Sequence, residues 1–265
     1  MFDRYNRNIN YLRISVTDRC NLRCTYCMPE DGISLLPHSD ILSFEEIAEF
    51  VTIAVKNGIT KVRLTGGEPL VRKGIVDLVR MLSTIAGIEE VSMTTNGILL
   101  PEYASALKEA GLSRVNISMD TVNPARFREI TRTGNLPDVL KGIEAAQKAG
   151  LSPIKINCVL MGQPEEDNTE LKRFCKEREL SLRFIHQMDL RNGEFSVVEG
   201  GDGGNCSRCN RLRLLANGDI KPCLFSDLAY NIRKVGFQEA LNLALGNKPQ
   251  SGSYNKSGEF YNIGG

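Results

Sequence analysis

The chain has 265 residues, of which 42% are hydrophobic and 25% charged, and its formal net charge is +1. That length can bury one barrel-sized core with an appendage, or two small domains. The balanced charge excludes the general field of a nucleic-acid or membrane binder, and no uninterrupted apolar run could span a bilayer. The first eight residues lack the apolar segment of a secretory leader, so a cytoplasmic chain is expected. Eight cysteines in such a chain read as metal ligands rather than disulfides.

Six strands are predicted, at 11–16, 60–64, 89–94, 113–118, 154–160 and 181–186. Helical runs alternate with them near 43–57, 73–85, 100–110, 124–131, 137–149 and 166–178. Ser43-Phe-Glu-Glu46 carries the capping-box pattern that starts a helix. Asn123-Pro124 offers a side-chain cap followed by proline at the first helical position. Gly58, Gly111 and Gly150 each close an amphipathic run just before a β-rich one, as a left-handed helix cap would. This alternation implies βαβ units and a parallel sheet. The α/β fold expected is a partial (βα)6 TIM-like barrel, since right-handed crossovers curl successive units. A flat doubly wound sheet fits the same pattern. In a barrel, functional residues belong at the C-terminal ends of the strands.

Past 186 the texture changes. Glu194 to Asn205 is rich in glycine and acid and reads as a loop. Asn217-Gly218 between β-like runs predicts a type I′ hairpin. A helix near 236–247 precedes a polar tail ending Gly264-Gly265. The expected domains are 1–187, the barrel, and 188–265, a C-terminal extension.

Cys20, Cys24 and Cys27 form a C-x3-C-x2-C array just after the first strand. Thiolates suit zinc or iron–sulfur clusters. Three on one short loop can hold a [4Fe–4S] cluster by three irons, leaving the fourth open. A zinc knuckle lacking one ligand is the alternative. Cys206, Cys209 and Cys223 again number three. Structural zinc would want a fourth ligand, and neither His38 nor His186 has finger spacing to them, so a second open cluster fits the count better. Cys158 and Cys175 read as small buried hydrophobes. Thr65-Gly-Gly-Glu-Pro69 follows the second strand, where glycine permits close backbone approach to a ligand and Glu68 could support a charged amine. Small polar residues (Thr94, Asn96, Ser118 and Asp120) follow strands three and four. Arg13, Lys61, Arg63, Lys155, Arg183, Arg211 and Arg213 lie on strands. Each singly is a plausible surface charge; projecting into one cavity they would make an anion site.

The run from Leu12 to Pro29, with its cysteine array, resembles radical S-adenosylmethionine (SAM) enzymes, and most closely their GTP 3′,8-cyclase branch (MoaA) of molybdenum cofactor biosynthesis. The resemblance implies two [4Fe–4S] clusters, the first with SAM on its open iron and the second with the guanine base. It implies SAM contacts at Tyr26, Gly66, Gly67, Glu68, Ser118 and Met188. It implies triphosphate contacts at Arg13, Lys61, Arg63, Arg211 and Arg213, with Thr94 and Arg183 in the same cavity; Lys155 joins them as a candidate. Gly264 and Gly265 would insert into the barrel and, with Arg13, support catalysis. A 5′-deoxyadenosyl radical would take hydrogen from C3′ of GTP, and the ribose radical would attack C8. An electron donor such as flavodoxin or ferredoxin and a homodimer are implied; nucleic-acid and membrane partners are not. Two departures stand out. Typical members carry a longer segment between Met188 and Cys206, so a more open mouth is expected here. The family's glutamate in the sixth strand is His186. A relative acting on another nucleotide or a peptide, and a zinc-binding interaction module, are the other readings.

Overall fold

The computed structural model describes residues 1–256, so Gly264 and Gly265 lie outside the described residues. Six parallel strands are present: β1 (Tyr11–Ser15), β2 (Lys61–Thr65), β3 (Glu90–Thr95), β4 (Arg114–Ser118), β5 (Lys155–Leu160) and β6 (Ser181–His186). Between them run α1 (Phe44–Lys56), α2 (Ile75–Ser83), α3 (Leu100–Glu109), α4 (Pro124–Thr131), α5 (Leu136–Lys148) and α6 (Glu165–Glu177). Their ends have local causes. The Ser43 hydroxyl accepts the Glu46 N–H at 3.1 Å while the Glu46 carboxylate accepts the Ser43 N–H at 2.7 Å. The Asn123 side chain accepts the N–H groups of Ala125 and Arg126, with Pro124 at the first helical position.

Strand order decides between barrel and flat sheet. It runs β6-β5-β4-β3-β2-β1 with no reversal. A doubly wound sheet reverses direction at a switch point. This sheet is wound one way only, which is the partial barrel. Alternation along each strand then divides its two faces. Leu12, Ile14, Val62, Leu64, Val91, Met93, Val115, Ile117 and Ile156 pack against the helices in one core. Tyr11, Arg13, Lys61, Arg63, Arg114, Asn116, Lys155 and Asn157 point into the lumen. Cys158 and Cys175 are buried in the core, as their apolar contexts suggested.

The C-terminal region rejoins this sheet rather than forming a core of its own. β7 (Arg211–Leu214) pairs parallel with β1, and β8 (Asp219–Lys221) and β9 (Tyr230–Asn231) follow antiparallel. After the short α7 (Ile232–Val235), α8 (Phe237–Gly246) packs on α1, with Phe237 edge-on to Phe50 at 6.1 Å. The β7–β8 turn departs from the expected type I′. The Gly218 N–H donates to the Leu215 carbonyl at 3.0 Å, and the Leu215 N–H to Asp219 at 2.8 Å. Only Gly218, at φ +87°, takes a left-handed conformation, and Asn217 does not. This is a three-residue loop with a glycine bulge, whose Asn217 side chain is spent accepting the Asp219 N–H.

The shortened connection between Met188 and Cys206 lies against the barrel. It folds back along β6, with an antiparallel bridge from Phe184 to Glu199. Phe195 stacks on Phe225 at 4.4 Å, and Leu190 is buried beneath them. Phe195, Ser196, Val198 and the run from Gly201 to Cys206 line the lumen. Its glycines let it lie over a cation: Arg183 Nε donates to the Gly200 carbonyl at 3.2 Å, and a Cβ on Gly201 would stand 3.1 Å from that nitrogen. Among the described residues no helix is long and apolar enough to cross a membrane.

Candidate active site

The two cysteine sets lie at opposite ends of the barrel. Cys20, Cys24 and Cys27 follow the C-terminal end of β1. Cys206 and Cys209 precede β7, which runs parallel with β1, and Cys223 follows the antiparallel β8. The second set therefore sits at the N-terminal end, and the expectation that all the chemistry gathers at the C-terminal ends is corrected. The lumen cavity is lined by all three cysteines of the second set.

The first cysteine loop is held by protein alone. Its Arg23 and Thr25 N–H groups donate to the carbonyls of Thr131 and Ile130 at 3.2 and 2.9 Å. Arg132 donates to the carbonyls of Arg23 and Met28 at 2.8 and 3.0 Å. Burial pushes the thiol of Cys27 up to about 11, and Cys20 adds to the effect. Burial, then Asp120, then the other two thiols raise Cys24 further. These thiols are close enough to oppose one another's ionisation, and a bound cation is what relieves that repulsion. Among the described residues no three ligating side chains gather round one ion position. A cubane takes each thiolate on a different iron, so it does not need them to.

The Gly-Gly-Glu segment serves this loop in a way the sequence did not reveal. The Gly67 N–H donates to Thr17 at 2.7 Å and the Glu68 N–H to Arg19 at 2.8 Å. A Cβ on Gly66 would lie 2.7 Å from the Thr17 carbonyl, and one on Gly67 would collide with the Arg19 carbonyl. The close approach is to the stem of the cysteine loop. Glu68, 1% exposed, accepts the N–H groups of Leu70 and Asn96 and the Thr95 hydroxyl. It therefore also braces β2 to β3. Tyr26 is likewise engaged, its hydroxyl donating to Asp120 at 3.1 Å, while Asp120 also accepts the Val159 N–H. Ser118 shares the lumen face of β4 with Asn116. Met188, two residues past the C-terminal end of β6, lines the lumen and packs on the Leu190–Phe225 cluster.

Glu68 gives a test by pH. Burial pushes its carboxyl up to about 7, against the three hydrogen bonds that pull it down. With a folded pKa above the unfolded value near 4.5, the folded chain holds the proton longer. That stabilisation is complete below the unfolded pKa and is lost as pH rises through about 7. Glu68→Gln keeps the shape, carries no charge, and sets an amide N–H against a donor, which costs about 1–3 kcal/mol at every pH. The stability gap between wild type and variant is expected to narrow by about 3 kcal/mol from pH 5 to pH 8 in denaturant unfolding. A gap independent of pH would refute the assignment.

A cavity of about 410 Å³ fills the lumen. Seven of the expected substrate residues line it: Arg13, Lys61, Arg63, Lys155, Arg183, Arg211 and Arg213. Thr94 does not reach its wall; its hydroxyl is buried without a partner among the described residues. The sequence reading missed Arg114, Asn116, Asn157 and Lys248. In all, nine basic side chains face two acidic ones, Glu90 and Asp202. Arg213, Arg13 and Arg63 stand in register on neighbouring strands, about 4.8 Å apart. Burial and then the charge of Arg213 hold the Arg13 guanidinium well below its ordinary pKa. Burial and Arg211 bring Arg213 down to about 10. Burial and then Arg183, Arg114 and Arg63 lower Lys155. Concentrated positive charge held out of water is costly unless an anion completes it.

Two further cations bracket the second cysteine set, whose three members all line this cavity. Lys248, 1% exposed, donates to the carbonyls of Arg211 and Pro222 at 2.8 and 2.7 Å. Arg7, paired with Asp3 at 2.7 Å, donates to the carbonyls of Cys206, Pro249 and Gln250. Burial raises Cys209, but Lys248 and Arg211 outweigh it and bring the thiol down to about 7. A thiol ionised near neutrality is a ready metal ligand.

Residues 14–175 match the family model described as the radical SAM superfamily. The chain is 44% identical to the GTP 3′,8-cyclase of Thermodesulfovibrio yellowstonii over 89% of its own length and 88% of the relative's. The chain belongs to the GTP 3′,8-cyclase family of radical SAM enzymes. It is 42% identical to the cyclase of Peptoclostridium acidaminophilum, covering 100% of this chain and 98% of that one. That alignment spreads 265 residues over 320 positions, so the relative has at least 55 positions this radical SAM chain lacks. Among solved structures, Streptococcus suis SuiB bound to S-adenosylmethionine has a TM-score of 0.65 at 17% identity, over 94% of this chain and 66% of that one. Native anSMEcpe with bound AdoMet gives 0.64 at 17%, over 90% and 81%. At that identity they share the fold. Radical SAM enzymes use SAM and [4Fe–4S] clusters, and both cysteine sets have the donor chemistry for one.

Proposed function

We propose that this chain converts GTP to 3′,8-cyclo-7,8-dihydro-GTP, with Cys20, Cys24 and Cys27 holding the SAM-binding cluster and Cys206, Cys209 and Cys223 the substrate cluster. The observation that carries it is the buried excess of basic side chains over acidic ones beside the second cysteine set. A triphosphate offsets such a field; a neutral peptide does not, which disfavours the peptide reading. When bound, SAM on a [4Fe–4S] cluster supplies a 5′-deoxyadenosyl radical. The rest falls to the protein. Arg13, Arg63, Arg211 and Arg213 orient the phosphates. The connection 188–205 walls the lumen and keeps water from it. The arrangement fixes the ribose between the two ends of the barrel, where proximity alone supplies much of the barrier reduction. An electron donor such as flavodoxin or ferredoxin, and a homodimer, belong to this proposal.

The test is anaerobic incubation of the reconstituted, reduced chain with SAM and each nucleoside triphosphate. We expect about eight irons per chain, and 5′-deoxyadenosine and cyclised product with GTP in preference to the others. Equal yields with every triphosphate, or zinc in place of iron, would sink the reading.

A further inference from the structure

The lumen is graded. Below, toward the second cysteine set, lies the layer of arginines in register. One layer up, toward the first cysteine loop, Thr94, Asn116 and Lys155 are in register on β3, β4 and β5. Here polar atoms stand buried without partners among the described residues: Thr94 Oγ1, Asn116 Nδ2 and, one step further up β5, Asn157 Oδ1. Lys155 is the cation in register in this layer, and Arg183 is in register with Asn157 one step further up. Arg114, the cation nearest to them on β4, is locked in a fork to Glu90, Nε to Oε2 at 3.0 Å and Nη2 to Oε1 at 2.7 Å. It is unavailable to phosphate.

Arg114 does something else. Its Nη1 donates to Asn116 Oδ1 at 3.0 Å. A guanidinium has donors only, so the Asn116 atom facing it must be the carbonyl oxygen. That leaves the amide nitrogen of this lumen-lining residue, 0% exposed, without a hydrogen-bond partner among the described residues. Glu90 fixes Arg114, Arg114 fixes Asn116, and Asn116 presents one N–H pair of known direction. A buried donor left unmade is expensive, which points to a ligand acceptor as its partner.

We propose that Asn116 is a substrate-positioning residue that donates to a ribose hydroxyl oxygen of the nucleotide, with its amide orientation set by the Glu90–Arg114 pair. The inference rests on the nucleotide reading above and deepens it. With phosphates on the arginine layer, the group in the layer between them and the first cysteine loop, where polar side chains and a single lysine stand, is the sugar. A hydroxyl also complements the Asn157 acceptor and the Thr94 hydroxyl in the same region.

Asn116→Asp is the discriminating variant. It keeps the shape and the acceptor that Arg114 needs, and replaces the donor. Equilibrium binding is measured anaerobically on the reconstituted chain without reductant, using GTP, 2′-deoxy-GTP and 3′-deoxy-GTP. Asn116→Ala is carried alongside, and matched iron content and melting temperature show that both fold. GTP affinity is expected to fall about tenfold in each variant. One deoxy analogue should bind wild type about as weakly as the variants bind GTP, and should lose nothing further on substitution. Glu90→Gln, which loosens the fork, should give a smaller loss confined to the same analogue pair. Unchanged GTP affinity in the variants, or equal losses for all three ligands, overturns the inference and leaves the GTP reading standing. Wild type that binds none of the three sinks both.

Discussion

Cys24→Ala is expected to abolish 5′-deoxyadenosine formation, a loss well beyond the roughly 10–100-fold cost of removing an outer-shell partner of a metal site. The variant should nevertheless fold. The loop's geometry comes from protein contacts: Thr25 to Ile130 at 2.9 Å, Arg132 to two loop carbonyls, and Asn96 to the Asn21 side chain at 2.7 Å. Its melting temperature without iron should shift by only a few degrees. Cys209→Ala touches the other end of the barrel. There Lys248 and Arg7 hold the backbone, so the first cluster should load normally. That variant should still cleave SAM while losing cyclised product. The two are compared in single-turnover assays at known iron content. SAM cleavage by Cys24→Ala near the wild-type level would falsify the assignment of the first loop. Loss of cleavage in Cys209→Ala with the first cluster loaded would undo the division of roles.

The barrel was legible because local signals agreed. Capping groups at Ser43 and Asn123, and glycines at 58, 111 and 150, fixed helix ends within a residue or two. The basic lumen was half legible. Arg13, Arg63 and Arg213 stood out by resemblance, but Arg114, Asn116 and Asn157 did not. Their signal was present: on β4, Arg114, Asn116 and Ser118 alternate with Val115 and Ile117. In most sheets such alternation marks a solvent face. In a barrel the polar face is the inside, and only closure reveals it. The bracing role of Glu68 and the glycines before it was hidden for another reason. A short loop says that the backbone comes close to something, and not whether that something is a ligand or the chain itself. The pairing of this loop with Thr17 and Arg19 joins segments some fifty residues apart, beyond any local pattern. Lys248 was hidden likewise, in a polar tail with no periodicity to place it.

The arginine layer sets stability against function, and Arg13→Met exposes that conflict. Arg13 is half-buried between Arg63 and Arg213, and its Nε has no partner among the described residues. Burial first, and then those like charges, disfavour its charged form. Replacing a buried ionic group of this kind with an apolar one of similar volume is often neutral or stabilising by about 1–4 kcal/mol. The ligand-free variant should therefore melt at the wild-type temperature or several degrees above it. Nucleotide binding should move the other way. Losing a charged hydrogen bond to phosphate costs about 1.5–3 kcal/mol, or one to two orders of magnitude in affinity. The loss should be largest for GTP, smaller for GMP and near zero for guanosine. It should shrink as salt is raised, because part of it is long-range field. SAM binding at the far end of the barrel should be unchanged. The measurement is a thermal melt with and without GTP, and a dissociation constant for each of the three ligands. A variant that is less stable without ligand, or that loses equal affinity for GTP and guanosine, would mean that Arg13 braces the barrel and does not read phosphate.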